Sequence, residues 1–312
     1  MMLKTNKTSI ANNLPPYKKS FVRQSYLLLT LPLIGFFVFT LYPLIWAIRY
    51  AFFYYDGTIS TTTFVGLENF TTVFKDSGYW RAWLTTLQFA AMKLPIELPL
   101  ALLLAILLQR KIKGAGFFRS VYFMPQIISI AIVGLIFSCM FDYFGLINDW
   151  LTKAGFIEEG VEWFANKWTA MVVLAIGSTW QSFGINVLYF MSALNNIPEE
   201  LYEAASIDGA NSIVKFFRIT IPMMGPVLQT ILLLSINGTL HVSEYILVTT
   251  NGGPGGSTYS VMSYLVGKFV PGFAERGVNI GYGCCLAVVT AIIMALIAVG
   301  YKKLSRKLAN IY

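Results

Sequence analysis

The chain has 312 residues, of which 56% are hydrophobic and only 12% are charged, and its mean hydropathy is +0.63. This composition excludes an ordinary soluble globular protein and predicts an all-α integral membrane protein. The formal net charge of +8 comes largely from basic residues that flank apolar stretches, which is a pattern of membrane topology and not of nucleic-acid binding.

Six apolar stretches are each long enough to cross the hydrocarbon core, which takes about 20 helical residues. They cover residues 26–53, 83–109, 120–141, 168–194, 223–248 and 277–301. The sequence therefore predicts a six-helix transmembrane domain over residues 26–301, between an N-terminal segment 1–25 and a basic tail 302–312.

The second stretch contains two charged residues, Lys93 and Glu97. Ionisable groups inside a bilayer usually pair, line water or contact a solute. Because residues four apart lie on one helix face, we expect an internal ion pair.

The fourth stretch carries a polar cluster around a tryptophan, made of Ser178, Trp180, Gln181 and Ser182. Such a cluster suits a sugar, since the indole face stacks on C–H groups while the amide and hydroxyls replace the hydration of the sugar. An interface anchor or simple packing is the alternative reading of Trp180.

A polar segment, residues 195–222, separates the fourth and fifth stretches. Pro198 followed by Glu199 and Glu200 is a helix start signal, and Gly209 is a stop signal. We expect a helix-turn-helix whose second helix covers residues 212–221, forming a knob that fits a socket on another protein. The pattern that defines it consists of Glu203, Ala204, Ala205, Asp208, Gly209, Ile219 and Pro222.

The fifth stretch carries a second polar cluster, made of Ser235, Asn237, Thr239, His241 and Glu244. Three roles stay open for Glu244: contact with the solute, pairing with His241, or pairing with a partner subunit. The glycine-rich residues 252–256 that follow lack the lysine of a phosphate-binding loop and are expected to form a flexible connector.

The spacing of the Glu203 segment resembles the cytoplasmic loop in membrane subunits of binding-protein-dependent ATP-binding-cassette (ABC) importers, the permeases. One position of the segment departs mildly from the family pattern: residue 221 is Ile221, where that family usually has Leu. Three further strings resemble sugar-type permeases: F-V-G-L-E-N-F at 64–70, G-A-G-F-F-R at 114–119, and T-N-G-G-P at 250–254. The last resembles the first membrane subunit of maltose-type importers, and the likeness extends over about residues 26–301.

The resemblance implies a transport subunit, not an enzyme, which forms half of the path for a sugar or oligosaccharide. An external solute-binding protein would deliver that solute. Implied partners are a second permease, favoured as a distinct chain, and two ATPase subunits on the Glu203 loop that hold the ATP and Mg. No cofactor is expected in this chain, and the implied location is the bacterial cytoplasmic membrane with both termini cytoplasmic.

The resemblance also implies which residues line the path. Carried over by position, the cavity of maltose-type permeases falls on Ser178, Trp180, Gln181, Ser182, Ser235 and Thr239. It also falls on Val242, where the polar contact of that family is absent.

Other function classes find little support. Cys139, Cys284 and Cys285 lie in apolar stretches and are expected to pack as small residues, and a single histidine excludes a multi-histidine metal site. A secondary transporter or channel working alone would need coupling-ion acids at midspan and an inverted repeat. The sequence offers no more than three residues in favour of such a transporter or channel: Lys93, Glu97 and Glu244.

The orientation follows from the positive-inside rule. With both termini inside, the inner segments carry 15 basic residues and 4 acids. The outer segments carry 9 acids and, with Arg49 near the outer end of the first stretch included, 7 basic residues.

We predict that positions 113 and 206 are inside and that positions 153 and 255 are outside. Single cysteines at these positions, in a background without Cys139, Cys284 and Cys285, are labelled in intact cells with an impermeant thiol reagent. The outer pair should react and the inner pair should not. Labelling of position 206 from outside would overturn the topology.

Overall fold

Long apolar helices dominate the computed structural model, which describes residues 16–109, 114–270 and 278–309. The helices are α1 (Pro16–Phe36), α2 (Tyr42–Tyr50), α3 (Glu68–Lys75), α4 (Ser77–Gln109), α5 (Ala115–Ile127), α6 (Ile130–Met140), α7 (Leu146–Lys153), α8 (Lys167–Asn195), α9 (Glu199–Ile207), α10 (Ser212–Lys215), α11 (Ile221–Leu240), α12 (Glu244–Thr249), α13 (Val261–Phe269) and α14 (Ile280–Ala309). Two short antiparallel strands, β1 (Phe53–Tyr54) and β2 (Thr63–Phe64), pair Phe53 with Phe64.

Five helical segments are long and apolar enough to cross a bilayer. They are Arg23–Tyr50, Ser77–Gln109, Lys167–Asn195, Ser212–Leu240 and Ile280–Ser305. A bent pair, Gly116–Ile127 with Ile130–Met140, adds a sixth unit. The predicted all-α membrane fold is confirmed, with five spans, or six if the bent pair is counted as one span. Position 277, where the sixth span was expected to begin, lies outside the described residues.

The third span is not the single helix predicted for residues 120–141. Its two halves meet at 94°, because Ile128 and Ser129 take extended backbone angles. Pro125 lacks an N–H and so removes one helical hydrogen bond just before this break. The apolar pattern of residues 120–141 does not by itself predict a bend of this size.

The prediction of a separate second helix at 212–221 was also wrong. The chain runs as one helical segment from Ser212 to Leu240, through a π-helical turn at Phe216–Thr220. The same turn occurs in the first span at Phe37–Leu41. Each turn ends two residues before a proline, Pro43 or Pro222. A proline ring clashes with the carbonyl four residues earlier in a regular α-helix, and the wider turn relieves that clash.

The fifth span ends earlier than predicted. The helix α11 stops at Leu240, and α12 begins at Glu244 after three non-helical residues. Residues 241–248 were therefore wrongly assigned to a continuous helix. The break places His241 and Glu244 on irregular backbone or at a helix start.

The buried core divides into three apolar clusters. One joins Leu98 of α4, Phe190 of α8 and Met224 of α11. A second joins α4, α6, α8 and α12 around Phe89, and a third joins α4, α13 and α14 around Trp83. Along α4 and α8, the first two clusters are separated by a layer of polar residues.

The first span stands apart from these clusters. None of the residues in the apolar window of Arg23–Tyr50 is buried, and its main packing is that of α2 against α14. The span therefore contributes little to the core of its own chain.

We predict that Gly184→Ala destabilises the helix bundle. A Cβ at this position of α8 would overlap the backbone carbonyl oxygen of Tyr122 in α5. Overpacking of this kind costs about 1–3 kcal/mol. The matched control is Gly225→Ala in α11, where the added methyl meets open space. Thermal melting in detergent should be lower for Gly184→Ala alone, and equal melting of both variants would contradict the prediction.

Candidate functional site

A polar cavity of about 580 Å³ lies between α4, α5, α8, α11 and the start of α12. Its polar lining residues are Lys93, Glu97, Gln126, Ser178, Gln181, Ser182, Asn186, Tyr189, Ser235, Thr239, His241, Ser243 and Glu244. The volume falls in the range of small-molecule sites, about 300–1,000 Å³.

A hydrogen-bond network centred on Glu97 forms one wall of the cavity. The Oε1 atom of Glu97 accepts hydrogen bonds from Ser182 Oγ at 2.6 Å and from Asn186 Nδ2 at 2.8 Å. Asn186 Oδ1 in turn accepts from Ser235 Oγ at 3.1 Å. The network therefore connects α4, α8 and α11 at one level of the bundle.

Lys93 neutralises this network. Its Nζ lies 3.4 Å from Glu97 Oε2, and both side chains are buried. The expected internal ion pair is confirmed. A buried charge without a partner is costly, so the pair explains how a carboxylate stays in the core.

The α8 lining residues follow helical periodicity. Ser178, Gln181, Ser182 and Asn186 are spaced three or four apart and thus share one face. Sequence reasoning missed Asn186, although its position four residues after Ser182 on the same face could have revealed it.

The structure does not place Trp180 at this cavity. Two residues beyond Ser178, it points to the opposite side of α8, because each helical residue turns by about 100°. It lies instead at a second, largely apolar pocket of about 770 Å³ with Pro95, Tyr122 and Phe183. The prediction that Trp180 stacks within the same polar cluster is therefore wrong.

In the fifth span, Ser235 and Thr239 of α11 line the cavity, as do His241 and Glu244 at the break. Asn237 does not: its backbone carbonyl accepts from His241, and its side chain is exposed elsewhere on α11. No ion pair between His241 and Glu244 is found in the described part of the chain. Seven of the nine predicted path residues thus surround one cavity. That solute passes there stays a prediction.

The Glu203 segment forms a separate surface. Glu203, Ala204 and Asp208 are exposed, and Ala205 is half-buried, on or just after α9. Gly209 has φ +78°, a conformation that favours glycine, and the Ala210 N–H donates to the Ala205 carbonyl at 2.8 Å. The expected Gly turn is present.

The chain after this turn is held by a cap that the sequence analysis did not identify. The side chain of Asn211 accepts from the Val214 N–H at 2.9 Å. Tyr202 OH and Thr220 Oγ1, 2.9 Å apart, tie α9 to the π-helical turn. Ile219 is half-buried beside this contact and Pro222 is exposed.

The outer surface of the segment is apolar at several points. Ile207 is 88% exposed, and Ile213 and Phe217 are also exposed. Exposed apolar side chains beside acidic ones form a surface of mixed chemistry, which is the composition of many protein interfaces.

The family described as the binding-protein-dependent transport system inner membrane component matches residues 97–310 of the chain. The chain belongs to this family. That stretch includes the Glu203 segment and every polar lining residue of the cavity except Lys93. The permease is therefore a membrane component of a transport system that depends on a solute-binding protein.

Two curated relatives resemble the permease over most of its length. The arabinooligosaccharides transport system permease protein AraP of Bacillus subtilis is 36% identical over 285 residues, which cover 89% of this permease and 87% of AraP. The lactose transport system permease protein LacF of Rhizobium radiobacter is 31% identical over 268 residues, which cover 84% and 86% of the two chains.

A solved structure shares the fold of the permease. It is a bacterial alginate ABC transporter in complex with an alginate pentasaccharide-bound periplasmic protein. The TM-score is 0.78 at 22% identity, over 94% of this permease and 96% of that chain. At this identity the likeness shows the architecture alone.

Proposed function

We propose that the permease forms half of the translocation path of an ABC importer for a sugar or oligosaccharide. The polar cavity between two apolar clusters of spanning helices carries this proposal. Its lining supplies hydroxyl, amide and carboxylate groups, which suit the hydroxyls of a sugar. The named substrates of AraP and LacF, arabinooligosaccharides and lactose, support the same class.

The complete importer needs further subunits. A second permease, a distinct chain, closes the path, and an external solute-binding protein delivers the sugar. Two ATPase subunits bind ATP and Mg, since this chain has no phosphate-binding loop in its sequence. The complex lies in the bacterial cytoplasmic membrane, with both termini of this chain cytoplasmic.

The Glu203 segment, residues 195–222, couples the ATPases to the path. Its exposed acids would meet Arg or Lys in a cleft of the ATPase, because charge-assisted hydrogen bonds supply both register and strength. The contact of Tyr202 with Thr220 supports this role, since a force on α9 reaches the segment that continues into α11. Closure of the ATPases would thereby rock the spans as rigid bodies.

The substrate class is tested by ATPase stimulation. The complex, with its binding protein, is reconstituted in proteoliposomes and exposed to arabinobiose, lactose, maltose and their uronic acid counterparts. At least one of these sugars should stimulate ATP hydrolysis and enter the vesicles. Stimulation by amino acids or ions, with none by sugars, would refute the proposal.

The path is tested with two substitutions on opposite faces of α8. Gln181 lines the cavity, and its side chain makes no hydrogen bond within the described fold. Gln181→Ala therefore removes a solute contact and leaves the network intact. Sugar uptake should weaken by about 1–3 kcal/mol in apparent free energy. The control is Trp180→Phe, which keeps the packing against Phe137 on the other face. Equal uptake by the two variants would place the path elsewhere.

The coupling role is tested at the Gly209 turn. Valine at φ +78° is strained by about 1–2 kcal/mol, whereas asparagine tolerates this conformation. Gly209→Val should assemble into the membrane but lose sugar-stimulated ATPase activity, and Gly209→Asn should stay near the wild type. Wild-type transport by Gly209→Val, with its ATPases attached, would contradict the docking.

A further inference from the structure

A recess opens between α4, α5 and α8, on the side of α8 turned away from the polar cavity. This recess is the apolar pocket of about 770 Å³ beside Trp180. Two prolines inside helices, Pro95 of α4 and Pro125 of α5, line it. Because proline interrupts the regular geometry of a helix, α4 and α5 leave space between them at this point.

The helices α4 and α8 run in the same direction beside the recess. Near their starts Lys167 Nζ donates to Gln88 Oε1, and further along Asn186 Nδ2 donates to Glu97 Oε1. The topology predicted from the charges places both helix starts on the outer side of the membrane. A molecule that enters the recess from this end therefore comes from the outer leaflet.

The recess is closed toward the C-terminal ends of the two helices. Its lining lies within residues 91–96 of α4 and 172–183 of α8, near the middle of both spans. At the closed end, Tyr122 and Phe183 pack against the apolar cluster around Phe190. The recess thus ends at about the middle of the membrane.

Toward the N-terminal ends the recess continues as an exposed apolar groove. Trp168, Val172 and Ile176 of α8 are exposed, and their spacing of four residues places them on one face. Leu84 of α4 is also exposed, about two turns before the recess. Phe183 follows Trp168 by 15 residues, a rise of about 22 Å along a helix. The hydrocarbon of one leaflet is about 15 Å thick, so groove and recess together span a leaflet.

A cation lies at the open end of the groove. Lys167 Nζ lies 5.5 Å from the ring centroid of Trp168, in addition to its hydrogen bond with Gln88. No salt bridge of Lys167 occurs among the described residues. An ammonium has three donors, so donors remain for an anion. Trp and Lys at the end of a span are typical of the level at which lipid headgroups lie.

We propose that the groove and the recess form a phospholipid site, in which one acyl chain fills the recess and the phosphate lies at Lys167. An acyl chain of the outer leaflet can end at the middle of the membrane, where the recess ends. A helix of another subunit cannot, because a spanning helix must cross the whole hydrocarbon core. The ammonium favours an anionic headgroup over a zwitterionic one. The site does not depend on what the polar cavity conducts.

Photolabelling of the complete complex tests the site. The complex is placed in nanodiscs that contain phosphatidylglycerol with a diazirine at the end of one acyl chain, and labelled residues are identified by mass spectrometry. Label should concentrate in the recess, on Met92 and Phe183. Equal labelling of the exposed Ile292 and Leu296 on α14 would indicate general lipid contact and overturn the proposal. Absence of label from the recess would also overturn it and would assign the recess to a helix of another subunit.

Filling the recess tests the acyl chain. Ala91→Phe places a ring in the recess, and its matched control, Ala295→Phe, adds the same ring to an exposed position of α14 outside the recess. Ala91→Phe should lose most of the label in the recess, whereas Ala295→Phe should keep it. Thermal melting in detergent verifies that both variants fold. Equal labelling of the recess in both folded variants would contradict the acyl-chain site.

The headgroup contact is tested without altering the recess. In the wild type, phosphatidylglycerol should label the recess about fivefold more than phosphatidylcholine with the same acyl chains, the size expected for one lysine beside an anionic group. Lys167→Gln should abolish this difference. The control is Lys153→Gln, because the Lys153 ammonium already pairs with Asp149 at 2.7 Å. Equal labelling by the two lipids in the wild type, or the same preference in both variants, would refute the phosphate contact.

Discussion

An ionised side chain inside a bilayer must find its partners within the protein, and this requirement organises the centre of the permease. Along α4, an apolar cluster at Phe89 is followed by Lys93 and Glu97 and then by a second cluster from Leu98 onward. The same order recurs on α8. Apolar packing holds the helices at both levels, and the Glu97 network fixes their spacing in between. The cavity lies at this intermediate level, where the fold already supplies polar groups.

Interruptions of helical geometry accompany the cavity. The corner between α5 and α6 lies beside Gln126 and Ile130, and the break after α11 places Ser243 on the lining. Irregular backbone within a membrane is tolerated where it is buried in protein or lines a polar space. The two π-helical turns, by contrast, are explained by Pro43 and Pro222 alone and need no role in solute contact.

Sequence reasoning succeeded where a signal was local. The i, i+4 spacing of Lys93 and Glu97 predicted their ion pair, and Gly209 predicted a turn, in which the structure gives it a positive φ. Sequence reasoning failed where the role of a side chain depended on which face of its helix packs against the neighbouring helices. Trp180 has the chemistry of a sugar platform, yet it lies on the side of α8 turned away from the cavity.

The unpredicted helix breaks have a different cause. Hydropathy measures how apolar a stretch is, and both halves of the third span are apolar. Their corner depends on two extended residues, Ile128 and Ser129, whose conformation is fixed by packing of α5 on α8 and of α6 on α12. The spacing of Asn186 after Ser182 places it on the lining face of α8, but its hydrogen bonds to Glu97 of α4 and Ser235 of α11 depend on how the helices pack. Such features depend on tertiary geometry, which a single sequence leaves unspecified.

The exposed first span bears on how the permease sits in membranes of different thickness. The segment Arg23–Tyr50 has 28 residues, and a helix of that length extends about 42 Å, well beyond a hydrocarbon core of about 30 Å. Among the described residues, the main attachment of this span to the rest of the fold is α2 on α14. Its tilt is therefore governed by hydrophobic mismatch with the surrounding lipid and by whichever helix of another subunit lies beside it. Bilayer thickness acts on this helix directly, while the clustered spans keep their mutual angles.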